Sequence, residues 1–417
     1  MAELEINWRK NLAFVWASQF LAMAGFGCCM PFIPMLLRDN LGVTDENVRG
    51  LFVAIYQFCG MLSLCIGTAI WGILADRFGR KLMLLRAGYC AAFFYPLLVF
   101  APNYIALLSI RFITAFFSGT VNPAQTLLVS NTPSDKHGFV LGTLSTSLWS
   151  GNMTGYLLGG VIAEYFGYTA AFLCCGGMYL VSSLLVHCFV RENFVRPEKG
   201  TVGKKKEKFK WKEWATPGVV LIFILFLVMG ISRRIDQPFI AMLVETVNGL
   251  DKAKLYTGIV NAGAAVGGVV SGVLIGWLCD KYSVYRLFVP VLFMSVIAMT
   301  VHAFSPNIWT LIISRFFVYF AAGGIQPILQ IMISRITAPE LRGSYFGLTA
   351  SINQVGGLIC FALSGVVAYF LNVRWIFLTA AIFCLIMIPI AIPAIKICRK
   401  EEVPYQTKAE EKEEAKQ

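Results

Sequence analysis

Long apolar runs separated by short polar segments extend along almost the whole chain of 417 residues. At a rise of about 1.5 Å per residue, a helical run of about 20 residues crosses a hydrocarbon core roughly 30 Å thick. Continuous apolar runs are typical of transmembrane helices, because the strands of a membrane barrel alternate apolar and polar residues. The pattern predicts an all-α polytopic membrane protein with twelve spans, at residues 10–37, 48–74, 82–100, 103–131, 139–163, 168–190, 216–245, 255–279, 286–304, 307–334, 343–370 and 373–397.

Composition indicates that lipid surrounds most of the chain. Hydrophobic residues make up 57% and charged residues 14%, against about 45–50% and about 25% in soluble domains. A soluble fold of this size could not bury so much apolar surface, which argues against a soluble enzyme. No G-x-x-x-x-G-K-[ST] loop occurs in the sequence, so an ATP-driven pump is not expected. We predict no cofactor. The first apolar run is too long for a cleaved signal peptide, and we expect it to stay in the membrane.

The net charge of +12 comes from lysines and arginines that concentrate in alternate predicted loops. Because positive residues are retained on the cytoplasmic side of a membrane, this bias predicts that both termini are cytoplasmic. The basic residues divide by membrane side and do not form one binding face, which argues against a nucleic-acid partner. Glu164 and Glu245 fall at outer helix ends, where we expect their carboxylates to be solvated.

The twelve cysteines fall mostly within or at the ends of the apolar runs. They form no C-x-x-C pair and have no histidine at ligand spacing, which are the patterns that indicate metal sites. We interpret them as small hydrophobic residues, and we predict no metal site and no disulfide.

The second half of the chain repeats the first. Pairs separated by 204 positions are Asp76 and Asp280, Arg111 and Arg315, Gly119 and Gly323, and Pro123 and Pro327. The separation becomes 205 further along and 207 near the start, where Pro31 corresponds to Pro238. A parallel duplication predicts two pseudo-symmetric six-helix bundles that work by alternating access. The predicted domains are a bundle at 1–190, a basic cytoplasmic linker at 191–215, a second bundle at 216–397, and a charged cytoplasmic tail at 398–417 that we expect to be disordered.

The predicted cytoplasmic loop after the second span carries a distinctive motif. It reads Gly-Ile-Leu-Ala-Asp-Arg-Phe-Gly-Arg-Lys, with Gly72, Asp76, Arg77, Gly79, Arg80 and Lys81 at its diagnostic positions. Gly72 would allow helices to approach each other, and Asp76 at a helix end could pair with a basic residue. The loop resembles the signature loop of the major facilitator superfamily. That resemblance implies the major facilitator fold and a network that closes a cytoplasmic gate in one state.

The fourth span contains a charged residue, Arg111, within Arg-Phe-Ile-Thr-Ala-Phe-Phe-Ser-Gly. A charge at membrane depth costs at least about 2.5–3.5 kcal/mol. Arg111 should therefore face a cavity and have a partner, or else lie close enough to the outer end to snorkel. The segment resembles a second superfamily element, whose arginine assists proton movement, and this implies a proton-coupling role for Arg111.

The fifth span carries Gly151, Gly155, Tyr156, Gly159 and Gly160. Its glycines permit close helix packing. The element resembles the glycine-rich motif of bacterial drug:proton antiporters, with Tyr156 where that family has proline, so the kink of that motif is not expected. Over most of its length the chain resembles the MdtG and tetracycline-resistance types of this antiporter family.

The seventh span contains three charges, Arg233, Arg234 and Asp236, near its middle. Such charges should line water or protein. On a helix, residues three apart share a face, so we predict an Arg233–Asp236 pair that leaves Arg234 free. Asp236 would be the protonatable carboxylate and an arginine would attract an anionic substrate; alternatively, the pair is structural and braces a broken helix. The other predicted cavity residues are Gln57, Asn122, Gln125, Asn261, Arg315, Gln326 and Gln330.

These features predict a monomeric secondary active transporter of a bacterial inner membrane. Its partners would be protons, the lipid bilayer and a small-molecule substrate, and its activity proton-coupled efflux of small amphiphilic or anionic organic compounds. One alternative is an organic-anion or metabolite carrier working in either direction. Another is a lipid-handling or non-transporting sensor protein on the same fold.

Overall fold

A computed structural model of the chain describes residues 7–133, 136–194, 216–337 and 341–414, and within them every regular element is helical. The first half contains α1 (Trp8–Cys29), α2 (Ile33–Asp39), α3 (Glu46–Phe78), α4 (Arg80–Leu97), α5 (Tyr104–Phe117), α6 (Val121–Ser130), α7 (His137–Tyr165) and α8 (Gly167–Phe189). The second half contains α9 (Pro217–Ser232), α10 (Ile240–Asn248), α11 (Ala253–Lys281), α12 (Val284–Ala303), α13 (Ile308–Ile336), α14 (Arg342–Phe370) and α15 (Val373–Glu414). Most of the predicted linker, 195–215, lies outside the described residues.

Eleven helical stretches within the described residues are long and apolar enough to cross a membrane. They correspond to eleven of the twelve predicted spans, so the all-helical membrane prediction is confirmed. The remaining predicted span, 139–163, coincides with α7, which is long enough at 29 residues but is diluted by glycine, serine and threonine. The small residues of α7 have a packing role that is described below.

Helix starts repeat between the two halves along with the apolar pattern. Asn103 accepts a hydrogen bond from the backbone N–H of Ala106 at the start of α5, at 2.9 Å. Asn307, 204 positions later, caps α13 in the same way through Thr310, also at 2.9 Å. Such a side-chain cap satisfies a backbone N–H that has no partner inside the helix. The duplication therefore extends to local structure.

Two compact units divide the described chain. In the first, α1 packs between α7 and α8, and α3 packs on α5. In the second, α9 packs between α14 and α15, which are the elements that the repeat matches to α7 and α8. Residues 238–265 belong to the first unit, although they fall in the predicted second bundle. The unit boundary thus cuts the seventh span at its break and the eighth within α11.

Three spans are interrupted. The first breaks into a 3-10 turn at Met30–Phe32, and the seventh breaks between Ser232 and Ile240, with prolines near both breaks. Proline lacks a backbone N–H and clashes with the preceding helical turn, so it ends a regular helix. The fourth span breaks after Phe117, and Gly119 within this break has a left-handed backbone with a φ of +99°.

The end of the chain differs from its prediction. The helix α15 continues through Glu414, whereas the charged tail was expected to be disordered. Glutamate, lysine and alanine, which dominate the last part of this segment, all have high helix propensity, so the charged composition does not prevent a helix here.

Candidate functional site

The charged turn in the seventh span lies between two helices. Because α9 ends at Ser232 and a 3-10 turn begins at Gln237, residues 233–236 are not helical and the three-residue spacing does not place Arg233 beside Asp236. Asp236 instead forms an ion pair with Nη1 of Arg315 on α13, and both side chains are almost fully buried. The predicted Arg233–Asp236 pair is therefore wrong, since the broken helix redirects the carboxylate.

Arg315 is held by more than its carboxylate. Its Nη2 donates to the Tyr319 hydroxyl at 3.5 Å, and its Cζ lies 4.7 Å from the Tyr319 ring centroid. Next to it on α13, Ser314 shares a 2.8 Å hydrogen bond with Nδ1 of the buried His302. His302 is packed inside the second unit. A buried ion pair needs such supporting contacts, because desolvating two charges is costly.

The two adjacent arginines of the turn have amide partners. Nη1 of Arg233 donates to Oε1 of Gln326 at 3.1 Å, and Nη2 of Arg234 donates to Oδ1 of Asn353 at 3.2 Å. The turn and α13 thus carry three guanidinium groups, those of Arg233, Arg234 and Arg315, and that of Arg315 contacts the carboxylate of Asp236. The site is therefore rich in positive charge.

The other predicted cavity residues have varied surroundings. Asn261 is buried, and its amide donates to the Thr257 carbonyl of its own helix at 3.0 Å, so it is already engaged. Gln326 binds Arg233 as described above. Asn122 is exposed, and Gln57, Gln125 and Gln330 are half-buried. Their role in a substrate cavity stays a prediction.

Arg111 of α5 lies inside the first unit and does not snorkel, since only 9% of its surface is exposed. Its Cζ lies 5.0 Å from the ring centroid of Tyr56, and its Nη1 lies 3.9 Å from the sulfur of Met30. Gly60 leaves the space that the guanidinium occupies, because a Cβ there would lie 2.6 Å from Cζ of Arg111. Within the described chain no carboxylate contacts Arg111.

The glycine-rich element packs as predicted. Gly151, Gly155 and Gly159 of α7 lie against the backbone of α1, where a Cβ on Gly159 would come 2.7 Å from the carbonyl oxygen of Cys28. Gly160 faces Gly258 of α11, since a Cβ on Gly160 would lie 3.1 Å from the Cα of Gly258. The helix runs without interruption through Tyr156, in agreement with the missing proline.

The motif loop is held by Glu192, a partner outside the loop that the sequence pattern did not predict. Glu192, just after α8, accepts hydrogen bonds from the backbone N–H groups of Arg80 and Lys81 at 2.9 and 2.8 Å. Nζ of Lys81 donates to the His187 carbonyl at 3.0 Å. The signal in the sequence was an acidic residue directly after the sixth span. A carboxylate is favoured at a helix N-terminus, here that of α4.

Of the other motif residues, Gly72 differs from its prediction, and the side chain of Asp76 is not among the described ones. Gly72 is exposed, and no atom lies within 4 Å of a Cβ built on it, so the helix approach predicted there is absent. Among the described residues of the first unit, no helix packs against this face of the last part of α3. The side chain of Asp76 lies outside the described part of the chain, Arg77 is exposed, and Gly79 makes the turn into α4 at a φ of +93°.

Glu245 at the end of α10 is not solvated as expected. Its side chain is 7% exposed and accepts from Nη1 of Arg38 at 2.7 Å and from Nη2 of Arg49 at 2.8 Å. Arg38 also contacts Asp39 at 2.6 Å, and the Tyr168 hydroxyl donates to Asp39 at 2.6 Å. Residues far apart in sequence thus form one charged cluster within the first unit.

A duplicated set of apolar helices, with a buried ion pair where one span breaks, defines a polytopic membrane transporter and not an enzyme. The sequence model of the protein family Major Facilitator Superfamily matches residues 15–273 and 238–416 of this chain. The chain belongs to the major facilitator superfamily, as its motif loop indicated, and it is a multi-pass secondary transporter.

Curated relatives extend over most of the chain. It is 31% identical to the multi-drug resistance efflux pump PmrA homolog of Lactococcus lactis, over 87% of this chain and 90% of that protein. It is 31% identical to the multi-drug resistance efflux pump PmrA of Streptococcus pneumoniae, over 85% and 88%. It is 28% identical to the multidrug resistance protein MdtG of Salmonella schwarzengrund, over 86% and 88%. The predicted resemblance to this type of transporter is confirmed.

Solved structures share the fold at low sequence identity. A nucleoside transporter NupG variant aligns with a TM-score of 0.74 at 12% identity, over 92% of this chain and 99% of that one. A bacterial homolog of the human lysosomal transporter Spinster aligns with 0.72 at 14%, over 96% and 99%. A D-xylose-proton symporter aligns with 0.69 at 15%, over 90% and 96%. These likenesses establish the major facilitator fold.

Proposed function

We propose that this transporter couples proton movement to the efflux of small amphiphilic or anionic organic compounds across a bacterial inner membrane, by alternating access. The observation that carries the proposal is the buried pair of Asp236 and Arg315 beside the break in the seventh span. Ionisable groups at membrane depth are costly and usually functional. Efflux is supported by the names of the bacterial relatives, which are multidrug pumps.

Asp236 is the member of the pair that exchanges a proton. Arginine stays protonated in proteins, whereas a carboxylate can be neutralised. When a proton binds Asp236, the attraction to Arg315 is lost, and the turn at 233–236 is released from α13. The deprotonated state restores the pair. Arg111 has no carboxylate contact among the described residues, so its part in proton coupling stays a prediction that rests on the family resemblance.

The sign of the substrate's charge determines the direction of coupling at this site. A cationic substrate competes with the proton for the carboxylate of Asp236, so the two move in opposite directions. An anionic substrate that binds Arg315 itself binds better when Asp236 is neutral, so it moves together with the proton. An anion that binds away from this pair is not subject to that constraint. When the proton gradient is directed inward, this exchange of a cation for a proton drives efflux of the cation.

A second candidate, an organic-anion carrier, is favoured by one observation. The turn at 233–236 and α13 carry three arginines, Arg233, Arg234 and Arg315, whereas the ion pair seen there among the described residues involves one carboxylate, that of Asp236. Guanidinium groups bind carboxylates through two parallel hydrogen bonds, and they do so more strongly in a site that excludes water. In this case the inward proton gradient would drive uptake.

We also propose a monomer with both termini in the cytoplasm and a cytoplasmic gate at residues 72–81. The orientation is supported by the lysines and arginines of the alternate loops. Glu192 supports the gate, since it ties the start of α4 to the end of α8. Fusing a phosphatase that is active only outside the cytoplasm to the C-terminus tests the orientation, and an active fusion would contradict it.

Proteoliposomes with an imposed pH gradient test the function. We would measure the flux of tetraphenylphosphonium, a lipophilic cation, and of benzoate, a carboxylate, while recording internal pH. Proton-coupled efflux predicts that tetraphenylphosphonium moves against the proton gradient and dissipates it. Benzoic acid crosses lipid unaided, so benzoate moving with the proton faster than in protein-free liposomes would favour the anion carrier. A gradient that drives neither probe, in liposomes shown to contain folded protein, would contradict both.

A further inference from the structure

The sequence repeat matches Arg111 to Arg315, and the two arginines have opposite surroundings. Arg315 pairs with Asp236, whereas the first-span position that corresponds to Asp236 is Cys29, 207 residues earlier. The duplicated scaffold therefore keeps the buried arginine in both halves but supplies a carboxylate in only one. An unmatched buried charge is the feature that needs a physical explanation.

Every described neighbour of Arg111 is neutral. Tyr56 lies under the guanidinium, the sulfur of Met30 lies 3.9 Å from Nη1, and Tyr95 contributes a hydroxyl. The Tyr56 hydroxyl itself points to the same sulfur, at 3.9 Å. Nε of Arg111 is buried and has no hydrogen-bond partner among the described residues. An aromatic face and a thioether stabilise a cation only weakly compared with a carboxylate.

Gly60 of α3 makes the arrangement specific. A side chain at this position would occupy the space of the guanidinium, since a Cβ there would lie 2.6 Å from both Cζ and Nη2 of Arg111. The guanidinium is therefore seated in a fixed place, and its Nε–H is the donor that lacks a hydrogen-bond partner among the described residues. A guanidinium held in this way, with no carboxylate among its described neighbours, carries a charge that a bound anion would neutralise.

We propose that Arg111, seated on Gly60 and Tyr56, binds the carboxylate of a small organic anion. This inference rests on the proposed transport function and names a substrate class for the first half. It assigns to Arg111 a binding role, distinct from the proton-coupling role of Asp236. The bound carboxylate supplies the counter-charge that Asp236 supplies to Arg315.

The test is thermal unfolding of the purified full-length protein, titrated with benzoate. Benzyl alcohol serves as the neutral analogue and sodium chloride as the inorganic anion. We expect benzoate alone to raise the unfolding midpoint. Replacing Met30 by glutamate places an internal carboxylate beside Arg111, so M30E should weaken the apparent benzoate affinity by at least about tenfold. The isosteric variant M30Q, which adds no charge, should keep the wild-type response.

Several results would overturn the inference. They are an equal midpoint shift with benzyl alcohol or chloride, no shift with benzoate in the wild type, or full benzoate affinity in M30E. Arg111→Gln should also lose the response; if it does not fold, M30E against M30Q still decides. Asp236→Asn separates this inference from the proposed function, since it should lose proton-coupled flux and keep benzoate protection. Intact coupling in Asp236→Asn would instead contradict the proposed function.

Discussion

The breaks in the first and seventh spans use the same backbone device and differ in charge. Both interrupt a membrane helix with a 3-10 turn next to a corresponding proline, Pro31 or Pro238. At the seventh span the break carries Asp236, which pairs with the buried Arg315, whereas at the first span Cys29 takes the equivalent place and Arg111 has neutral neighbours. Duplication thus conserved the framework, and the functional difference lies in a few charged positions.

The largest effect should come from making the seventh span resemble the first. Asp236→Cys leaves Arg315 buried without its carboxylate, and we expect a loss of about 3–5 kcal/mol in the free energy of unfolding. Denaturation of the full-length protein, followed by tryptophan fluorescence, measures this free energy. The exposed Asp251→Cys is the matched control and should change stability little. If Asp236→Cys were as stable as Asp251→Cys, the pair would not hold the break together.

Close packing, by contrast, should be equal in both halves. Gly151 in α7 and Gly356 in α14 are related by 205 positions, and each lies against the backbone of the partner helix, α1 or α9. Valine at either position should cost about 1–3 kcal/mol, because overpacking forces the helices apart. Gly142→Val is the control, since nothing lies within 4 Å of a Cβ there.

The comparison of Gly151→Val with Gly356→Val is made by thermal unfolding in detergent. Similar losses are expected if the halves share their framework. A large loss in one half together with a neutral result in the other would show that the framework itself is asymmetric.

A smaller loss of stability is expected at the charged cluster of Arg38, Arg49 and Glu245, which lies beyond the breaks in the first and seventh spans. Arg38 and Glu245 are equivalent positions, 207 apart, and they pair with each other. Glu245→Gln removes the charge from two pairs and should cost about 1.5–3 kcal/mol, since hydrogen bonds to charged groups are worth this much. Arg38→Gln should cost less in the Glu245→Gln background than in the wild type, because the pair is already lost there. Equal losses from Arg38→Gln in the two backgrounds would contradict the pairing.

The smallest effect is expected at the motif loop. Glu192→Gln keeps the size of the side chain but removes its charge from the two N–H groups at the start of α4, and we expect a loss of about 0.3–1 kcal/mol that salt reduces. Glu164→Gln is the control, since Glu164 lies near the end of α7 and makes no ion pair among the described residues. A salt-independent loss would show that charge is not what holds this contact.

Much of the fold could be predicted from the sequence, because apolar run length, proline and glycine act locally. The spans, the helix caps related by the repeat and the glycine packing of α7 all follow from such signals. The ion pair of Asp236 could not be predicted in this way. The break at 233–236 removes the helical geometry on which the Arg233–Asp236 prediction depended. Glu192 and Glu245 were missed because their partners come from distant segments, which a local pattern does not reveal.

The central claim is that Asp236 exchanges the coupled proton. It is tested most directly by recording internal pH during tetraphenylphosphonium transport in proteoliposomes that contain the wild type, Asp236→Asn or the control Asp251→Asn. The account predicts proton counterflow in the wild type and in Asp251→Asn, and its loss in Asp236→Asn. Equal proton counterflow in Asp236→Asn and the wild type would contradict the account and move the coupling to another residue.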